Sequence, residues 1–232
     1  EAGRFTFYSR QNKFDYKLFR FNMPVIDSMK FSVPSFKLMP DGSRPLVRVR
    51  NTIENISGEL LIDNPSNKSS YQRYPQYPIF KSEKSAKIFY DEAFDGVYQR
   101  DKFFVKIDPF EIDSLDNTST EGLVFKGEFT SSGIFKTRRQ DIRVQDDYSF
   151  GFTQKTGENG WLLYNEKGVS KGSVRLSISG LKVDGSIAFE KAIGYSSKFE
   201  LFPDTVRGNG DFFLSSYEAP PRGAGHPGIK GI

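Results

Sequence analysis

Val174-Arg175-Leu176-Ser177-Ile178-Ser179-Gly180-Leu181-Lys182-Val183-Asp184-Gly185-Ser186-Ile187-Ala188-Phe189 decides the fold class. Val174, Leu176 and Ile178 alternate with polar residues. Ser179-Gly180 supplies a turn, and Leu181, Val183, Ile187 and Phe189 continue the alternation on the way back. A period of two places one face of each strand in a core, so the stretch predicts an antiparallel hairpin. Its second arm repeats an earlier phrase. Gly122-Leu123-Val124-Phe125-Lys126-Gly127-Glu128-Phe129 and Gly180-Leu181-Lys182-Val183-Asp184-Gly185-Ser186-Ile187 both read Gly-Leu-x-apolar-x-Gly-x-apolar. Gly127 and Gly185 then mark bends or close strand approach in a twisted sheet. Whether the two copies are a true internal repeat stays open.

The same vocabulary extends outward. Phe103–Ile107, Leu123–Phe129, Ile142–Val144, Tyr148–Phe152, Trp161–Leu163, Phe199–Leu201 and Phe212–Leu214 read as strands. Toward the N-terminus, Arg4 to Phe21 alternates aromatic with polar, predicting two strands around Ser9–Asn12. Prolines 24, 34, 40 and 45 allow only short edge strands there, such as Met29–Val33. Leu46–Val49 and Glu59–Ile62 follow, then a long tyrosine-rich loop from Asp63 to Pro78. The one place for a short helix is around Glu83–Ala86. Asp95-Gly96 marks a turn. Turn signals at short intervals, with almost no 3.6-residue period, predict an all-β protein. The architecture is an antiparallel sandwich or a stacked-strand, solenoid- or groove-like segment.

Composition narrows the class. The chain has 232 residues, 23 of them Phe, and no Cys. Such aromatic content is too high for a disordered protein. The lack of Cys removes disulfides, thiol catalysis and thiolate metal sites. No apolar run approaches the ~18 residues of a membrane-spanning helix. Three parts are expected: basic, proline-rich N-terminal strands at 1–57, a main β-rich domain at 58–218, and a Gly/Pro-rich linker or tail at 219–232. The tail and the non-Met start suggest a piece of a longer protein. Residues 1–50 carry ten Lys/Arg against four Asp/Glu. That half suits an acidic partner such as an anionic lipid surface, or is an ordinary solvated face. Interleaved aromatic and basic residues also suit nucleic acid, but they are the normal product of a half-buried sheet, so nucleic acid is disfavoured.

Few residues can carry chemistry. The only histidine is His226, in the tail, which leaves no rigid Ser-His-Asp triad and no His-rich metal site. No phosphate-cradling glycine loop is present. Asp108, Glu111, Asp113 and Asp116 follow a strand within nine residues. They are candidate calcium ligands, or in pairs a glycosidase pair, though the calcium-loop glycine is missing. Asp146-Asp147 beside Asp141 is a weaker version. Tyr71, Tyr74, Tyr77 and Trp161 are candidate sugar-contacting aromatics. Asn55, Asn67 and Asn117 head Asn-x-Ser/Thr triplets, which matter only in a eukaryotic secretory setting. No cofactor is expected beyond the calcium candidate, and the reading leans away from an enzyme.

Several strings carry a resemblance. They are Tyr77-Pro78-Ile79-Phe80, Asp101-Lys102-Phe103-Phe104, Ile107-Asp108-Pro109-Phe110 through Ser114-Leu115-Asp116-Asn117, Glu121 to Gly127, Ser132-Gly133-Ile134-Phe135, Asp147 to Phe152, and Leu201-Phe202-Pro203-Asp204. Together, over roughly 58–215, they resemble very large β-rich cell-envelope proteins of Bacteroidota, most without assigned activity. The resemblance implies a periplasmic or cell-surface location and supplies no catalytic residue. It also implies O-glycosylation at Asp-Ser/Thr-apolar triplets, which here nominate Ser28, Ser114 and Thr205. The expected function is a structural or protein-interaction module of a long exported envelope protein, with other envelope proteins as partners. The alternatives are a lipid-handling β-groove and a carbohydrate-binding sandwich. The groove requires the face of Phe125, Phe129, Val183, Ile187 and Phe189 to be open.

Overall fold

The computed structural model describes residues 1–214, so the expected tail at 219–232, with His226, lies outside the described residues. Alternating residues do become alternating burial: β10 (Val124–Ser131) buries Phe125, Gly127, Phe129 and Ser131 and exposes Lys126 and Glu128. The strands before it are β1 (Phe5–Arg10), β2 (Lys13–Asp15), β3 (Arg20–Pro34), β4 (Leu46–Arg48), β5 (Ile53–Leu61), β6 (Ile79–Ser82), β7 (Ala86–Phe89), β8 (Phe103–Ile107) and β9 (Glu111–Ile112). After it come β11 (Arg138–Val144), β12 (Phe150–Lys155), β13 (Trp161–Leu163), β14 (Gly168–Ser177), β15 (Gly180–Phe189), β16 (Ala192–Leu201), β17 (Val206–Arg207) and β18 (Asp211–Leu214). All pairings are antiparallel, in one large sheet that is not closed into a barrel.

The path is a meander. From β3 it runs through β5, β7, β8, β10, β11 and β12, then on through β14, β15 and β16 to β18. If flat, the six steps from β3 to β12 would span roughly 29 Å at the usual strand spacing. Yet the rings of Phe31 in β3 and Phe150 in β12 lie 5.4 Å apart. The sheet is therefore rolled, and its two halves share one apolar interior from Ala2 to Leu201. The boundary expected at 57/58 falls inside β5, and strands from both sides of it contribute to that core.

β12 makes the corner. Its first two residues pair with β11, at Phe150↔Val144 and Gly151↔Arg143. The next four pair with β14, from Phe152↔Leu176 to Lys155↔Ser173. Gly151 permits the handover, because a Cβ there would overlap the Leu176 carbonyl oxygen. Around the corner, Ser149 Oγ donates to Asp147 at 2.6 Å and accepts the Ile178 amide at 2.9 Å. Asn51 Oδ1 accepts the Phe150 amide at 2.9 Å.

Two local expectations are corrected. Glu83–Ala86 is not helical; β7 begins at Ala86, and the one helical turn described is a 3₁₀ segment, Ala93–Gly96. Met29–Val33 is not a short edge strand but the end of the 15-residue β3, which is flanked by β1 and β5. Pro24 is tolerated because the β3–β5 register shifts between Met23 and Ile26, a bulge that asks no ladder donor of it.

Candidate functional site

The acidic residues singled out above separate. Asp108 accepts from Arg139, which also lies 3.7 Å from Glu128. Glu111 pairs with Lys81 at 2.9 Å. Asp113 and Asp116 are exposed. Only Glu111 and Asp113 border a common cleft, of about 390 Å³, with Ser114 and Asn117. Among the described residues no three Asp, Glu, His or Cys side chains gather as a metal site.

The aromatic residues also separate. Tyr71 is fully in solvent, whereas Trp161 is only 4% exposed. Trp161 packs edge-on against Phe135, and the Arg138 guanidinium covers its face at 4.3 Å. Tyr74 and Tyr77 meet at 83°, so they offer no flat platform. The face of Phe125, Phe129, Val183 and Ile187 is buried, with Phe189 partly so. Phe125 packs on Phe110 and Phe150, and Phe129 on Phe103 and Phe152. Phe125, Phe129 and Val183 are closed to solvent, whereas Ile187 and Phe189 line one wall of an open cleft of about 490 Å³.

The glycosylation candidates differ in access. Ser28 is half-buried inside β3, paired on both sides with Tyr8 and Glu54. Ser114 Oγ donates to the Pro75 carbonyl at 3.0 Å. Thr205 is exposed in a turn closed by the Phe202 amide on its carbonyl at 2.8 Å.

Thr205 borders a cleft of about 600 Å³, along with Ser132, Tyr164, Asn165, Lys167, Phe189 and Asp204. Tyr164 stacks on Phe189 at 5.9 Å and donates to the carbonyls of Phe202 and Thr205 at 2.7 and 3.0 Å. Burial pushes its phenol well above the ordinary range, and the neighbouring Tyr98 and Asp204 add to that. Tyr164, Asn165 and Glu166 all hold left-handed backbone, with φ of 49°, 57° and 69°. Three non-glycine residues in that region cost free energy, about 1 kcal/mol or more each. In sequence this strain shows only as a polar turn between apolar runs.

The other open feature is β18. Among the described residues its only strand partner is β16, from Ala192↔Leu214 to Tyr195↔Asp211. All four of its residues are exposed, with Phe213 at 51% and Leu214 at 70%. Among the described residues, β18 itself carries neither proline nor lysine and its register with β16 has no bulge, the usual devices that keep an edge from pairing. Phe212 closes one side of an adjoining apolar cleft of about 490 Å³, edge-on to Phe199.

No protein-family model, curated protein or solved structure matches the chain. Function therefore rests on the geometry. Among the described residues it offers an exposed, apolar strand with a single strand partner, β18.

Proposed function

We infer that this chain is a non-catalytic structural and protein-interaction module, part of a long exported envelope protein, that joins a neighbouring polypeptide by strand addition at β18. The exposed, apolar, singly paired β18 carries the reading. An edge of this kind offers a row of backbone donors and acceptors to an incoming strand, while Phe212–Leu214 supply apolar anchors. The rolled, filled core behind it provides a rigid support. The envelope setting is supported by the resemblance over 58–215 and by the exposed Thr205 in an Asp-Thr-Val triplet.

Phe213→Lys places a charge on the edge without disturbing the core. The variant is expected to melt like the parent and to lose its polypeptide partner on purification from native cells. Retention of the same partner by a correctly folded Phe213→Lys protein contradicts strand addition at β18.

A further inference from the structure

We propose that the turn between β2 and β3 docks on an anionic lipid surface, seating Tyr16 and Leu18 among the headgroups with lysines around them. The turn is Tyr16-Lys17-Leu18-Phe19, four residues without the Gly, Asn or Pro that ordinary solvated turns use. Phe19 sits in left-handed backbone with φ of 52°, a strained choice for a bulky side chain. Only the Asp15 carboxylate, accepting the Leu18 amide at 3.0 Å, ties the turn internally. Tyr16 is 65% exposed and Leu18 40%, and Phe14 beneath them packs on Phe19 and Phe21. The turn thus spends a strained backbone on presenting apolar side chains to the outside.

The charges around it are unbalanced. Arg10 is paired with Asp27, and Arg20 with Glu59. Among the described residues, Lys13, Lys17 and Lys68 have no carboxylate partner within ion-pair distance, and the Asp15 carboxylate of the turn is engaged by the Leu18 amide. Lys68 lies over the Tyr16 ring at 4.5 Å, which brings the Asp63–Pro78 loop beside the turn. That loop is held by Asn67, which is buried and bonds Asp63, the Gln72 carbonyl and the Gln72 amide. Amphipathic rings with cations around them match the interfacial zone of a bilayer, where the rings sit at headgroup depth and lysines meet lipid phosphates. A nucleic-acid partner would use the charge but would not call for Leu18 at the apex of a turn.

The test is co-sedimentation of the full chain with two kinds of vesicle, mixed phosphatidylglycerol–phosphatidylcholine and phosphatidylcholine alone. Binding is expected only to the mixed vesicles and is expected to weaken with salt. Lys13→Gln and Lys17→Gln should each lower the partition coefficient by roughly five-fold. Tyr16→Ser with Leu18→Ser should remove binding while thermal melting stays unchanged. Leu38→Ser, an exposed apolar position beyond the other end of β3, should bind as the parent does. Absence of binding, equal binding to both vesicle types, or an equal loss with Leu38→Ser overturns the proposal. So does binding to a soluble polyanion without binding to vesicles. The proposal is independent of strand addition: Phe213→Lys is expected to keep full vesicle binding.

Discussion

Tyr98 and Leu201 are 103 residues apart in the chain, yet the tyrosine hydroxyl donates to the leucine carbonyl at 2.6 Å. The same oxygen accepts the Leu181 amide at 3.2 Å, and the ring stacks on Phe103 at 3.9 Å. One buried side chain thereby ties the link between β7 and β8 to the ladder of β15 and β16.

Removing that hydroxyl leaves backbone groups of Leu201 and Leu181 buried without it. Tyr98→Phe is expected to destabilise the fold by about 1–3 kcal/mol. Urea unfolding measures this as a lower midpoint at unchanged slope. An unchanged midpoint would mean the two halves are not joined there.

Alkaline pH acts on the same residue. The Tyr98 phenol is pushed up to about 12, chiefly by burial, with the Leu181 amide opposing and Glu200 adding. Burial raises Tyr90 as well, with Asp147 adding, and Tyr164 too. In the unfolded chain these phenols ionise near ~10. Their contribution is complete below that value and is lost as pH rises toward 12. Melting temperature is expected to be level up to about pH 10 in this respect and to fall beyond it. The fall should be shallower in Tyr98→Phe.

Much of this arrangement was legible in advance and some was not. The alternation from Val174 to Phe189 became the β14–β15 hairpin, with Val174↔Val183 and Leu176↔Leu181 opposite one another. β16 was visible only at its end, because Gly194-Tyr195-Ser196-Ser197-Lys198 has no apolar period. Pro24 argued against the longest strand, since the bulge that accommodates it depends on β5 rather than on its own neighbours. The roll at Gly151 is a tertiary event, and in sequence this glycine looks like any other. Trp161 was legible as a strand residue but not as a buried one, because its cover comes from Phe135 and Arg138, more than twenty residues earlier in the chain. β18 was legible as a strand but not as an edge, because edge position belongs to the sheet order.

Gly185 faces Gly172 across the β14–β15 pair, at φ of 145° and beside a register shift. A Cβ there would overlap the Lys171 carbonyl oxygen and lie 2.9 Å from Gly172 Cα. Gly185→Val is expected to cost about 3 kcal/mol or more in denaturant unfolding. Gly133→Ala, where a Cβ meets nothing within 4 Å but φ is 81°, should cost only about 1 kcal/mol. Equal costs would remove close strand approach as the reason for Gly185.

Asn67 fastens the loop beside the β2–β3 turn through three hydrogen bonds of 2.7 to 2.9 Å. Asn67→Ala is expected to speed amide exchange across residues 63–72, with protection in β14 and β15 unaltered. Uniformly faster exchange would show that the loop is part of the cooperative core.

The functional reading stands on the side of β18 that no described strand pairs. A photo-crosslinking residue at position 213, introduced in native cells, probes that edge directly, with position 162 on exposed Leu162 of β13 as the contrast. Strand addition predicts a polypeptide adduct at 213, its loss when Phe212→Lys is added, and none at 162. An adduct at 162 but not at 213, or one at 213 that survives Phe212→Lys, contradicts it.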